Sequence, residues 1–122
     1  MDYFYDSYAI IEFVNGNPKF KNYFLNAEGV TTLYNVMEVY YSALRTKDEK
    51  KAKILLEFLR PLTIHPDFDD IEESMKFRLY HKKNKLSYTD CIGYILAKKY
   101  GVKFLTGDEG FRNLPNVEFI KA

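Results

Sequence analysis

Residues 87–108, SYTDCIGYILAKKYGVKFLTGD, contain the clearest helix and strand boundaries in the chain. Ser87 is followed three residues later by Asp90, which is the capping-box pattern that starts a helix, and Gly101 is a typical residue to end it. The apolar run from Val102 to Thr106 predicts a buried strand. The stretch therefore predicts a helix and then a strand that ends shortly before Asp108.

The same alternation of strands and helices extends over the rest of the chain. Strands are predicted at Tyr3 to Tyr5, Val30 to Leu33, Pro61 to Ile64 and Val117 to Ile120, and helices at Ser7 to Val14, Tyr34 to Leu44, Asp48 to Leu59 and Asp69 to Lys83. Such alternation requires right-handed crossovers and a sheet covered on both faces. We therefore expect residues 1–122 to form one α/β domain, a three-layer α/β/α sandwich with a mostly parallel central sheet.

Composition limits the classes of function. The 122 residues are 47% hydrophobic and carry 18 basic against 17 acidic side chains, so overall charge does not indicate a nucleic-acid or membrane surface. The single Cys91 cannot form an internal disulfide, and the isolated His65 and His81 offer no close zinc pair. No apolar run approaches the ~20 residues of a membrane span. We expect a cytoplasmic protein without membrane contact.

Four acidic residues would come together at one end of the sheet if the strand at 102–106 pairs with the first strand. Asp6 ends the first strand, Asp108 follows the strand at 102–106, Asp90 lies in the first turn of a helix, and Glu38 lies one turn into another. Ligands of parallel sheets bind beyond the carboxyl ends of the strands, where the winding direction reverses. Clustered carboxylates repel one another unless a cation neutralises them, and oxygen ligands suit Mg²⁺ or Mn²⁺. Such an ion can orient water and shield a phosphate, as phosphodiester hydrolysis requires.

Each acid also has a purely structural interpretation. Asp6 and Asp90 are well placed to cap helices, and Glu38 fits a solvated helix face. Asp108 lies in a Gly-Asp-Glu-Gly segment that is typical of turns. The order and placement of the four acids along the chain favour a shared metal site more than any single acid does.

Four sequence segments resemble the PIN-domain nucleases, and the small toxin ribonucleases of VapC type in particular. They are Asp6-Ser7, Asn35-x-x-Glu38, Ser87-Tyr88-Thr89-Asp90 and Phe104-Leu105-Thr106-Gly107-Asp108, and the resemblance covers essentially the whole chain. It implies a catalytic pocket of Asp6, Glu38, Asp90 and Asp108, with Mg²⁺ or Mn²⁺ on Asp6, Asp90 and Asp108. It further implies that hydroxyls of Ser7 and Thr106 order the acids, that RNA is cleaved to leave a 5′-phosphate, and that a small antitoxin and a homodimer are involved.

One position departs from the pattern of many relatives. They carry a further Asp where this chain has Gly110, and the adjacent Glu109 is the only nearby substitute. The sequence therefore leaves open whether one or two metal ions bind and whether Glu109 replaces the missing acid.

Basic and aromatic residues suggest how RNA could be held. Lys82, Lys83 and Lys85 precede Asp90 and could bind phosphates, although lysines also favour helix C-termini. Without the four acids the remaining surface has a net charge of about +5. Seven tyrosines could stack on bases or line a dimer, but we expect most of them in the core or at its edge; they are Tyr34, Tyr40, Tyr41, Tyr80, Tyr88, Tyr94 and Tyr100.

The function that these features favour is a metal-dependent endoribonuclease, the toxin of a toxin–antitoxin pair. The alternative is a non-catalytic PIN-like module that binds RNA or protein, which the missing acid at Gly110 keeps open. A phospho-accepting receiver domain has a similar length and layering, but it would need paired acids after the first strand, where Asp6 stands alone.

Overall fold

The computed structural model describes all residues from Met1 to Ala122. Its five strands are β1 (Tyr3–Tyr5), β2 (Gly29–Thr32), β3 (Thr63–Ile64), β4 (Lys103–Thr106) and β5 (Val117–Phe119). Its α-helices are α1 (Ser7–Val14), α2 (Lys21–Leu25), α3 (Leu33–Thr46), α4 (Glu49–Leu59), α5 (Phe68–Tyr80) and α6 (Tyr88–Lys99). None of the helices combines the length and apolar character that a membrane span requires.

The strands form one parallel sheet in the order β3-β2-β1-β4-β5. The chain winds outward from β1 through β2 to β3, and then returns to place β4 on the other side of β1. Phe4 of β1 lies opposite Phe104 of β4 in the register. The winding direction therefore reverses between β1 and β4, and the crevice expected at the carboxyl ends of the sheet lies there.

Side chains alternate between the two faces of the sheet and build a separate core on each. On one face Tyr5 and Leu105 pack with buried residues of α1, α3 and α4. On the other face Phe4 and Phe104 pack with α6, and their rings stack with centroids 5.7 Å apart. The three-layer α/β/α sandwich with a parallel central sheet is thus confirmed.

Two helical segments differ from the sequence prediction. Helix α2 was not predicted, because it has only five residues and forms where tertiary packing buries Phe24. Helix α5 ends at Tyr80 instead of continuing to Lys83. Residues 82–84 form a 3₁₀ turn, and Lys85 takes a left-handed backbone conformation with φ of 57°, so the lysines follow the helix and do not belong to it.

The expectation for the tyrosines is wrong. Of the seven, Tyr94 is buried and Tyr40 is half-buried, while the other five are exposed: Tyr34, Tyr41, Tyr80, Tyr88 and Tyr100. The phenylalanines fill the core instead, since four of the largest fully buried side chains are Phe. Exposed aromatic rings are therefore available on the surface of this protein.

Candidate acidic active site

Asp6 is the most deeply buried acid of the candidate site, with a relative exposure of 2%. It directly follows β1 and caps α1, because its Oδ1 accepts a hydrogen bond of 2.9 Å from the backbone N–H of Ser7. The Thr106 hydroxyl donates to its Oδ2 at 2.6 Å. The carboxylate is therefore fixed from both sides, by the helix after β1 and by the end of β4.

Asp108 is held beside Asp6 through the same threonine. The Asp108 backbone N–H donates to Oγ1 of Thr106 at 3.1 Å, and the Asp108 side chain caps the next turn by accepting from the N–H of Gly110 at 2.9 Å. Thr106 thus joins the acid after β1 to the acid after β4. This hydroxyl contact agrees with the role expected for Thr106 in ordering the acids.

Asp90 approaches from the N-terminus of α6. Its Oδ2 accepts from the N–H of Ser87 at 2.8 Å, and its own N–H donates to the Ser87 hydroxyl at 3.0 Å, so the predicted capping box is present. The carboxylate is partly buried beside the other acids. Helix capping and membership of the acidic cluster are compatible for this residue.

Glu38 is exposed on α3 and is tied to the site by a chain of polar contacts. The Ser7 hydroxyl donates to Glu38 Oε1 at 2.7 Å and accepts from Asn35 Nδ2 at 3.0 Å. Asn35 is fully buried, and its Oδ1 accepts from the hydroxyl of Thr32 at 2.7 Å. Ser7 is therefore hydrogen-bonded to Glu38, and Asn35 in turn is hydrogen-bonded to Ser7.

The sequence interpretation gave Asn35 no role of its own. The only signal was its position three residues before Glu38, on the same helix face. A buried amide with partners on both sides holds the start of α3 against the start of α1.

The carboxylates interact strongly through their charges. Burial raises the pKa of Asp6 to about 8, the charge of Asp90 and then that of Asp108 add to the increase, and the bonds from Thr106 and Ser7 oppose it. Burial also raises the pKa of Asp90, with the charges of Asp108 and Glu38 acting in the same direction. The structure thus brings all four predicted acids into one electrostatic group.

The donor set of this group fits a hard divalent cation. It consists of carboxylate oxygens, the ligand type that Mg²⁺ and Mn²⁺ prefer, and it carries unbalanced negative charge. No three carboxylate, imidazole or thiolate side chains lie close enough together to hold one metal ion between them. An ion that retains several waters, as Mg²⁺ does, needs direct bonds to only one or two carboxylates.

The position of the missing acid is sterically closed. A Cβ on Gly110 would lie 2.8 Å from the carbonyl oxygen of Asn84 and 2.7 Å from a methyl carbon of Leu86. Glu109 does not fill the gap, because its carboxylate pairs with Arg112 at 2.7 Å and with Lys121 at 3.3 Å. These pairs lower the pKa of Glu109 to about 2.

We therefore expect Gly110→Ala to destabilise the protein by about 1–3 kcal/mol, since a backbone carbonyl must shift to admit the methyl group. Urea unfolding would measure the change. Glu109→Ala is the neighbouring control, because it removes only solvent-exposed ion pairs and should change the free energy of unfolding little. Equal stability of Gly110→Ala and the wild type would show that the Asn84 carbonyl does not restrict this position.

A second prediction concerns the charge of Asp6 in metal-free protein. The pKa of Asp6 is higher in the folded protein than in the unfolded chain, so its protonated form stabilises the fold below about pH 4 and this stabilisation is lost as the pH rises toward 8. Asp6→Asn removes the titration but keeps an acceptor for Ser7. With chelator present, the variant should gain more than about 1 kcal/mol relative to the wild type between pH 5 and pH 8. Urea unfolding at both pH values would reveal the gain, and parallel pH profiles would contradict it.

The basic segment at 82–85 lies next to the acids. The side-chain amide of Asn84 donates to the carbonyl of Gly110 at 2.9 Å, and this joins the segment to the loop that carries Asp108. Lys82, Lys83 and Lys85 are exposed. Positive and negative side chains therefore face solvent from adjacent loops.

The fold and the site define an α/β protein with a cluster of acidic side chains at the carboxyl ends of a parallel sheet. Comparison with known proteins identifies the family. The sequence matches the PIN domain family over residues 3–117. The chain belongs to the PIN domain family. No curated protein matches the sequence.

Solved structures of VapC toxins share this fold. VapC20 of Mycobacterium tuberculosis, described as a toxin that cleaves the sarcin-ricin loop, is 15% identical with a TM-score of 0.82, over 99% of this chain and 100% of that one. A toxin–antitoxin complex from Klebsiella pneumoniae is 20% identical with a TM-score of 0.79, over 99% and 100%. VapBC2 of Rickettsia felis, bound to a fragment of its promoter DNA, is 13% identical with a TM-score of 0.73, over 100% and 99%.

Proposed function

We propose that this protein is a metal-dependent endoribonuclease and the toxin of a toxin–antitoxin pair. The observation that carries the proposal is the proximity of four carboxylates at the switch point of a PIN domain. Thr106 joins Asp6 to Asp108, Ser7 joins Asp6 to Glu38, and the charge of Asp90 acts on the pKa of Asp6. Capping accounts for Asp6, Asp90 and Asp108 one at a time, but it does not require the acids to share one site. A divalent cation accounts for their proximity, because it offsets their repulsion.

In this proposal Asp6, Asp90 and Asp108 would hold Mg²⁺ or Mn²⁺, one or two of them directly and the rest through waters that the ion retains. The ion would supply charge neutralisation for the phosphate and a lowered pKa for an attacking water. Ser7 and Thr106 restrict the carboxylate rotamers, because their hydroxyls bond directly to Glu38 and Asp6. Glu38 is the most accessible acid, and its exposed carboxylate can accept a proton from water.

RNA is the proposed substrate, and the lysines are its proposed phosphate contacts. Lys82, Lys83 and Lys85 lie on the segment that Asn84 attaches to the Asp108 loop, so they can neutralise phosphates adjacent to the cleaved bond. The acidic centre would repel a polyanion without such flanking cations. Substrate positioning and catalysis are thus assigned to separate residues.

The proposed partners are a small antitoxin and a second copy of this chain. Apolar side chains on α3 and α4 are exposed in the single chain, among them Met37, Tyr41, Ile54 and Phe58. Partner proteins commonly cover such surfaces. An antitoxin segment that crosses α3 would also reach Glu38. We place the pair in the cytoplasm, where its RNA substrate and the unpaired Cys91 are both in a suitable environment.

The second candidate is a non-catalytic PIN module that binds RNA or protein. The closed position at Gly110 favours it, because a site with fewer acids holds a second ion less well. This candidate predicts RNA binding without strand scission.

Incubation with unpaired, end-labelled RNA distinguishes the two candidates. The nuclease should cleave in Mg²⁺ or Mn²⁺, leave 5′-phosphate ends, and lose activity when EDTA removes the ion. Undiminished cleavage in EDTA would indicate a contaminating or metal-independent nuclease. Intact RNA under all metal conditions, together with measurable RNA binding, would support the non-catalytic module.

A further inference from the structure

One exposed aromatic residue stands two positions before Asp90, and a cation supports its ring. Tyr88 is the first residue of α6, and its relative exposure is 63%. The guanidinium carbon of Arg78 lies 4.4 Å from the centroid of the Tyr88 ring. Arg78 is itself fixed, because its Nε–H donates to the carbonyl of Leu86 at 3.0 Å.

This support distinguishes Tyr88 from the other exposed tyrosines that have a cationic neighbour. The corresponding distances are 6.0 Å for Arg45 over Tyr41 and 5.7 Å for Lys99 over Tyr100. A guanidinium at 4.4 Å is in stacking contact and restricts the ring without burying it. The ring therefore stays ordered while much of its surface is open to a ligand.

The surroundings of Tyr88 favour a nucleic acid. Tyr88 directly follows Ser87, which is hydrogen-bonded to Asp90, so its backbone lies within one helical turn of that acid. The ring lies against Arg78, and the basic segment at 82–85 precedes Tyr88 in the chain. A ligand that contacts both the lysines and the ring needs negative charge for the lysines and a flat apolar face for the ring.

We propose that Tyr88 stacks on an unpaired nucleobase of the RNA and so holds the strand next to the acidic centre. The inference rests on the proposed function and adds a residue that binds the RNA substrate. Bases within a duplex are already stacked on their neighbours, whereas unpaired bases are free to stack on aromatic side chains. Arg78 holds the ring in place before RNA binds.

The chain contains no Trp, so a single introduced indole reports on its own surroundings. We would make Tyr88→Trp, and Tyr100→Trp as the matched control. Tyr100 adjoins the opposite end of α6, is 43% exposed and also has a cationic neighbour. Both proteins would be titrated in EDTA, which prevents cleavage, with an oligoadenylate and with an abasic oligomer of the same length.

Stacking predicts that oligoadenylate quenches the fluorescence of Tyr88→Trp, that the abasic oligomer does so far less, and that Tyr100→Trp responds to neither. Equal responses to the two oligomers would overturn the proposal, since the backbone alone would then account for the change. A response to oligoadenylate that is equal in both variants would also overturn it.

Cleavage kinetics test the same inference without a Trp probe. Tyr88→Ala should raise the KM for unpaired RNA roughly 5- to 100-fold, the loss expected for one stacked base, and leave kcat nearly unchanged. Tyr88→Phe should restore the wild-type KM, because it retains the ring. An unchanged KM in Tyr88→Ala would overturn the stacking role. If the wild type cleaves RNA in the same assay, the proposed nuclease still stands, and the exposed ring would then be assigned to binding a protein partner. A wild type without cleavage would overturn the nuclease, and the quenching titration would still decide whether a base stacks on this ring.

Discussion

Asp6→Asn, Asp90→Asn and Asp108→Asn should each reduce RNA cleavage by more than about 100-fold while leaving the protein folded. Even residues that only support a metal ligand cost 10- to 100-fold when removed, so loss of the ligand itself should cost more. Asn has nearly the same volume as Asp and keeps one oxygen for capping. The substitution therefore removes charge with little change in packing. Single-turnover cleavage and circular dichroism would measure activity and folding separately.

Asp48→Asn is the matched control for these variants. Asp48 also caps a helix, because its Oδ1 accepts from the N–H of Lys51 at 2.7 Å, but it belongs to the start of α4 and is exposed. It should retain wild-type cleavage. Full activity in all three site variants would refute the acidic site, and equal losses in Asp48→Asn would assign the effect to helix capping.

Joint replacement of Lys82, Lys83 and Lys85 by Gln should weaken RNA binding and reduce its dependence on salt. Each phosphate contact with a single strand contributes about 0.7 to the slope of log K against log salt, so loss of three contacts should flatten the slope by about 2. Turnover at saturating RNA should change little, because these charges act on substrate and transition state about equally. Filter binding between 50 and 200 mM salt would measure the slope.

A second lysine triplet controls for the loss of charge. A second set of exposed lysines lies around the connection from α3 to α4 and consists of Lys47, Lys50 and Lys51. Glu38 lies near the N-terminal end of α3, whereas these lysines lie at its C-terminal end and in the first turn of α4. Their replacement by Gln removes the same charge from a different surface. We expect a smaller change in slope there. Equal slopes for the two triple variants would show that the lysines at 82–85 contribute only bulk charge.

Local signals were sufficient to predict the layers of this fold. The capping box of Ser87 and Asp90, the stop at Gly101 and the strand before Asp108 all form as expected. The pairing of β4 with β1 was not fixed by these local signals, and the structure shows that this pairing brings Asp6 and Asp108 together. Helix α2 escaped prediction because it depends on packing between distant segments, which one short sequence window does not contain.

The acids of the site could be named from the sequence, but their connections could not. The sequence places Asn35 near Glu38, yet only the folded chain shows that Ser7 joins them across 28 residues. Closure of the Gly110 position likewise depends on Asn84, which is 26 residues away. Residue type and spacing predict membership of a site, whereas long-range hydrogen bonds and steric limits arise from tertiary packing.

The central claim is that the carboxylates form one divalent-cation site, and calorimetric titration with Mn²⁺ tests it most directly. The wild type and Asp48→Asn should bind Mn²⁺ with the same affinity and show the same rise in melting temperature, because an ion that binds only the folded protein stabilises it by mass action. Asp6→Asn should lose most of that binding and most of that rise. Equal Mn²⁺ affinity and equal stabilisation in the wild type and Asp6→Asn would contradict the claim, since the ion would then bind away from Asp6.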